Sequence, residues 1–255
     1  MRNSLTVFIV LSLPLYARGQ DNYEIQVYGS ETVAPGRTMF ELHSNYTPEG
    51  SRLAPEGVIP SQNTFHETLE ITEGILPAFE LGWYLFTSTV RGSGPDWVGT
   101  HLRPRIRAPE QWQLPIGASL SAEFGYQRRI FSEDTWSLEL RPIFDKQIGG
   151  FYLSVNPTLE KSLRGATSSQ GFQFSPNVKV SYDVTTLITL GAEYYGSLGP
   201  IFGFYPSRDQ QHQLFPSLDL NFSADWEFNF GVGFGLTDST DRSIIKMIIG
   251  RRLTF

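Results

Sequence analysis

Residues 226–237 read Trp-Glu-Phe-Asn-Phe-Gly-Val-Gly-Phe-Gly-Leu-Thr. Taken every second residue, Trp226, Phe228, Phe230, Val232, Phe234 and Leu236 make one wholly apolar face. Glu227, Asn229, Gly231, Gly233, Gly235 and Thr237 make the other, which is polar or bare. A period of two belongs to a β-strand, whose side chains alternate between its faces. Residues 238–241 are a polar break, and residues 244–255 form a second strand that ends on Phe255. Such a hairpin needs hydrocarbon against one face and polar surroundings against the other.

The same alternation recurs ten more times towards the amino terminus. The segments are 38–46, 64–75, 78–89, 97–108, 116–129, 135–146, 151–163, 171–184, 187–198 and 211–223. The eighth is the cleanest, with Phe172, Phe174, Pro176, Val178, Val180 and Tyr182 set against Gln173, Ser175, Asn177, Lys179, Ser181 and Asp183. The second is the poorest, because Leu69 and Ile71 share their face with Glu67 and Glu73. In the fourth, Val98, Leu102, Pro104 and Ile106 are read as outward. Connections after even-numbered strands are mostly short and those after odd-numbered strands tend to be longer, as at 47–63, 91–96 and 199–210. That asymmetry, the even strand count and spans of about ten residues predict an all-β, twelve-stranded antiparallel transmembrane β-barrel of the bacterial outer membrane. Pro104, Pro142, Pro157, Pro176 and Pro216 fall mid-strand, where each loses a ladder hydrogen bond; all five lie on the outward face, which points to bulges or bends.

Three parts are expected: a signal peptide over 1–19, a periplasmic lead-in over 20–36 and a barrel over 37–255. Arg2, the apolar run from Leu5 to Tyr16 and small residues before Gln20 support the first. Tyr23-Glu24-Ile25-Gln26-Val27-Tyr28 alternates, but Ala34-Pro35-Gly36 separates it from the first strand, and a thirteenth strand would break the parity. The chain has no cysteine, which excludes disulfides and thiol chemistry. Removing Arg2 and Arg18 takes the formal charge from −6 to −8, which disfavours nucleic acid as a partner.

A soluble sandwich would bury the apolar face. The opposite face, however, carries Glu41, Glu70, Glu80, Arg103, Arg105, Glu123, Glu139, Arg141, Glu160, Lys179, Glu193, Asp219 and Lys246, too many charges for a dry core. Trp83, Trp97, Trp136 and Trp226 are expected at the membrane interfaces. Arg251 falls on the apolar parity, near a strand end where the penalty is small.

The best constellation is on the fourth strand, where His101, Arg103, Arg105 and Arg107 share the inward face. Hairpin counting sets Arg107 near Glu80, Arg103 near Tyr84 and His101 near Glu123, with Glu139 and Arg141 one strand further. Two readings fit: a charge network closing a narrow lumen, or a basic ladder for anionic or polar solutes. Other motifs carry less. The glycines of 231–235 lie on one side of a strand with no helix after them, so they do not form a phosphate loop. His66-Glu67-x-x-Glu70 lacks a second histidine and lies on a strand, so no metal site is read there. No catalytic residue, cofactor or metal is expected, and no outward histidine stands beside an outward serine as a lipid hydrolase would need.

The runs Arg37-Thr-Met-Phe-Glu-Leu-His-Ser-Asn-Tyr46, His101-Leu-Arg-Pro-Arg-Ile-Arg-Ala-Pro-Glu110, Phe124-Gly-Tyr-Gln-Arg-Arg129 and Ser175-Pro-Asn-Val-Lys-Val-Ser-Tyr-Asp183 resemble outer-membrane barrels of the family named for the meta-pathway of phenol degradation. The resemblance implies a transporter for small, often hydrophobic molecules, and it carries over no site residue. It also implies that Phe255 belongs to a signal read by the barrel-assembly machinery. The expected role is passive passage of small hydrophobic or anionic solutes, with outer-membrane lipid and the solute as partners. A lipid hydrolase and a barrel plugged by its own charges are the alternatives.

Overall fold

The computed structural model describes residues 22–53 and 57–254; the expected signal peptide and Phe255 lie outside them. The twelve strands are β1 Arg37–Glu49, β2 Thr64–Leu76, β3 Phe79–Val90, β4 Asp96–Arg107, β5 Gly117–Gln127, β6 Asp134–Ile148, β7 Phe151–Gly165, β8 Gln173–Asp183, β9 Ile188–Ser197, β10 Gln211–Leu220, β11 Trp226–Gly235 and β12 Ser243–Thr254. Each pairs antiparallel with its sequence neighbour, and β1 pairs with β12 from Arg37↔Thr254 to Tyr46↔Ile245. That last ladder closes the sheet into a barrel without a free edge. A stub, Gly199–Pro200, extends the edge of β8 beyond the reach of β9. Between β4 and β5 lies a single turn of 3₁₀ helix, Glu110–Trp112. The end carrying the start of β1 and the end of β12 is the turn end, and the opposite end is the loop end. At the turn end Arg37 donates to Asp225, and that hydrogen bond and the guanidinium charge hold the Asp225 carboxyl below its ordinary range.

The hairpin of β11 and β12 faces as its period requires. Trp226, Phe230 and Phe234 are exposed to the surroundings of the barrel, while Asn229, Gly231 and Gly233 are buried within it. Gly233 is bare for a reason: a Cβ there would stand 2.3 Å from Cζ of Phe215, a fully buried inward ring on β10. Gly233→Ala is therefore expected to cost about 1–3 kcal/mol through overpacking. Adding Phe215→Ala should remove that increment in urea titrations of the refolded barrel.

Four of the five mid-strand prolines fall in gaps in the ladders, on the outward side. Pro176 instead lies opposite Pro157 in the unbroken β7–β8 ladder, just beyond the β8–β9 ladder that ends at Asn177. The β6–β7 ladder runs to Leu140↔Leu159, resumes at Phe144↔Val155, and between these sets Pro142 opposite Pro157. Two missing donors thus share one gap instead of making two. Pro104 and Pro216 fall in similar gaps, in β4–β5 and β10–β11.

Three expectations are corrected. Val98 is fully buried inside the barrel, because the β3–β4 register slips between Phe86 and Thr87 and the extra residue turns inward. Trp83 lies in the middle of β3, whereas Trp97 and Trp136 meet around Tyr126 near the loop end and Trp226 sits at the turn end. The third correction concerns residues 22–33, expected as a periplasmic lead-in, which lie inside the barrel; as the parity argument required, they add no thirteenth strand. Arg251, the outward charge, is held 5.0 Å above the ring of Trp226.

Candidate solute path and its plug

An extended segment inside a barrel has no ladder, so every backbone donor and acceptor must find a side chain or water. Here the inward residues of the strands supply them. Thr68 donates to the carbonyl of Tyr23 at 2.7 Å, and Lys246 to that of Ile25 at 3.1 Å. Asn156 accepts from the amide of Tyr28 at 2.8 Å, while Ser154 donates to the carbonyl of Tyr28 at 2.6 Å. Arg105 donates to the carbonyls of Gly29 at 3.1 Å and Glu31 at 2.7 Å, and Glu80 accepts from the amide of Val33 at 2.6 Å. The segment starts near the loop end, where Asn22 donates to Asp241 at 2.7 Å. It leaves at the turn end, where the amide of Gly36 donates to Gly74 at 3.1 Å. At Gly74 any side chain would strike the chain, since a Cβ would lie 2.1 Å from the carbonyl oxygen of Ala34.

Its side chains organise two apolar clusters on the inward, otherwise polar face. Ile25 and Val27 pack with Tyr195, Phe215 and Ile244. Tyr23 packs with Tyr84, Phe86 and Val98. The physical reason for the location is the match between the two surfaces. Inward aromatic and aliphatic residues need apolar cover, inward amides and charges need backbone partners, and this segment supplies both.

The arginine ladder is gathered around Tyr28. Arg141, Arg103 and Arg105 stand 4.7, 4.9 and 5.8 Å from the centre of its ring. Its hydroxyl donates to Glu24 and lies 3.3 Å from that of Tyr84. Arg103 reaches Glu70 at 2.5 Å and Glu80 at 3.4 Å, and Arg105 reaches Glu80 at 2.7 Å. Arg141 pairs with Glu139 at 2.7 Å and with Glu24 at 3.1 Å. His101 pairs with Glu123. Arg107 stands apart at the turn-end mouth, paired with Glu31 and, at 2.9 Å, with Glu110.

The inward parity of these residues agrees with the sequence, but their partners differ. Glu80 faces Arg105, not Arg107, and Tyr84 faces His101, not Arg103. The slip arises because Asp96, the first residue of β4, pairs with Ser88 and leaves Thr89 and Val90 to β2 alone. A slip of two residues preserves the faces and changes every neighbour.

A second buried network lies across the lumen, among inward charges whose pairing the alternation does not show. Lys246 is fully buried, donating to Glu193, while Lys179 bridges Glu193 at 3.5 Å and Asp219 at 2.8 Å. Lys246→Met would leave Glu193 short of its main cation in a dry site. The expected cost is about 3 kcal/mol, read as a lowered urea midpoint of the folded barrel.

Between the segment and the loop end a cavity of about 1740 Å³ remains. Its walls include Arg208, Arg242, Asp209, Asp241 and Lys161, and its floor reaches Tyr23, Glu24, His101, Glu123, Glu139 and Arg141. Arg103 and Arg105 lie below that floor, 2% and 7% exposed.

Residues 113–244, just over half of the chain, match the family described as "Putative MetA-pathway of phenol degradation". The chain belongs to that family. No curated protein matches it. Among solved structures it is similar to the COG4313 outer membrane channel from Pseudomonas putida F1, at 12% identity and a TM-score of 0.59, over 90% of this chain and 100% of that one. It is also similar to the KdgM porin, at 11% identity and a TM-score of 0.53, over 85% of this chain and 99% of that one. At such identities the likeness speaks for the fold. This member of the family is a bacterial outer-membrane β-barrel.

Proposed function

We propose that the protein is an outer-membrane channel for small solutes, and that the segment over residues 22–33 is its closed gate. The observation that carries this is the cavity of about 1740 Å³, open at the loop end and floored by chain that belongs to no ladder. A floor held only by side chains can move without breaking the barrel wall. Once it has moved, Arg103, Arg105 and Arg141 line the path, favouring anionic or polar solutes, since charged rings set selectivity. The family and the two similar channels support the same reading.

Reconstituted in planar bilayers under a salt gradient, the full chain should show intermittent openings that prefer anions. Changing Arg103 and Arg105 together to alanine should move the reversal potential towards cations. Unaltered selectivity in a conducting double variant would remove the ladder from the path. A lipid hydrolase finds no support at His212, the outward-facing histidine of β10. Its ring nitrogens are engaged by the Tyr194 hydroxyl at 2.6 Å and the Gln210 amide oxygen at 3.2 Å.

A further inference from the structure

Glu41 stands directly opposite Glu70 in the β1–β2 register, and His43 is the next inward residue on β1. The three offer ligand atoms that all lie within 4.8 Å of one another. All three are buried: Glu41 is 6% exposed, and His43 and Glu70 are fully enclosed. Like charges set opposite each other across two strands repel, and burial strengthens the repulsion. The nearby cation is bonded to only one of the two carboxylates. Arg103 is bonded to Oε1 of Glu70, which also accepts from Thr72 at 2.7 Å. Oε2 of Glu70 lies 3.4 Å from Nε2 of His43 and a long 3.5 Å from the Tyr28 hydroxyl. Neither ring nitrogen of His43 makes a hydrogen bond, and Glu41 has no ion pair or hydrogen bond among the described residues.

A separation of 3.4 Å is long for an N–H···O bond. It is the edge of a tetrahedron whose bonds measure about 2.0–2.1 Å, which sets ligand atoms about 3.3 Å apart. We propose that Glu41, His43 and Glu70 bind a first-row divalent cation, with Zn²⁺ as its representative. Two carboxylates and one neutral imidazole are ligand types that suit such an ion. The ion would relieve the repulsion of Glu41 and Glu70 and occupy the idle nitrogen of His43. The site lies outside the lining of the cavity, so loading accompanies folding of the barrel.

The test refolds the chain in detergent with Zn²⁺, removes free metal and counts zinc per folded barrel by atomic emission. Folding is verified by faster migration of the unboiled sample. About one zinc ion is expected per barrel of the unaltered chain. Background levels are expected for Glu41→Gln and for His43→Gln, with retention in His66→Gln. Zinc in the unaltered barrel no higher than in folded Glu41→Gln overturns the site and leaves Glu41 and Glu70 as a pair sharing a proton. A second readout needs no variant: the unaltered barrel refolded with Co²⁺ should show the visible absorption of tetrahedral cobalt. Its absence also overturns the proposal.

Discussion

Deleting residues 22–33 is expected to turn a mostly closed barrel into a continuously conducting one, with steps of uniform size in planar bilayers. The segment is the only chain, among the described residues, that crosses the interior without being part of the wall. Barrels of about eight strands are filled by their own side chains, and those of 16–18 leave an aqueous channel. A twelve-stranded barrel lies between them, so what it contains decides whether it conducts. Here the contents are Tyr23, Ile25, Val27 and Tyr28, each at most 7% exposed, and the side chains they hold in place. Removing them leaves Arg37 at the start of β1 with its partner Thr254, so closure is retained. The burial lost is offset by the conformational entropy of a segment no longer ordered. Conductance should therefore change far more than the urea midpoint. A deletion variant that migrates as folded yet stays silent would sink both the gate and the channel.

The second large effect is expected at Arg103. Its guanidinium is 2% exposed, pairs with Glu70 and Glu80, and lies over the rings of both Tyr28 and Tyr84. Arg103→Met keeps most of the volume and removes the charge. Glu80 retains Arg105 at 2.7 Å, but Glu70 loses its guanidinium partner. Stranding a buried carboxylate costs about 3–5 kcal/mol. Unfolding in chelator should register that loss, and adding Glu70→Gln should recover much of it. A double variant as unstable as the single one would mean that Arg103 acts by packing on Tyr28 and not by balancing Glu70.

The strands were legible because each has to meet lipid on one side. Trp226, Phe230 and Phe234 could be assigned to that side without knowledge of any partner, and the twelve strands fall within a few residues of the alternating segments. Lys246 and Glu193 could likewise be assigned inward. Their pairing with each other could not, because it crosses from β12 to β9 through the lumen. Val98 departs from the alternation because a one-residue bulge is invisible to a period of two. The ladder partners of Arg105 and Tyr84 are not legible by counting, because strand ends overhang unequally at the β3–β4 loop.

The six residues from Tyr23 to Tyr28 show most clearly where sequence ends and tertiary structure begins. Alternation says that they are extended, and nothing in six alternating residues says whether backbone or side chains will bond them. Phe86, Tyr195 and Phe215, apolar residues at inward positions, were the available sign that the lumen contains something apolar. The sequence by itself determined the wall: its strand count, its two faces and its place in the outer membrane. Only the tertiary structure decided what fills the wall, because an amide threaded through a barrel is satisfied by Asn156, Glu80 and Asp145, residues more than forty positions away whose convergence is a property of the closed ring.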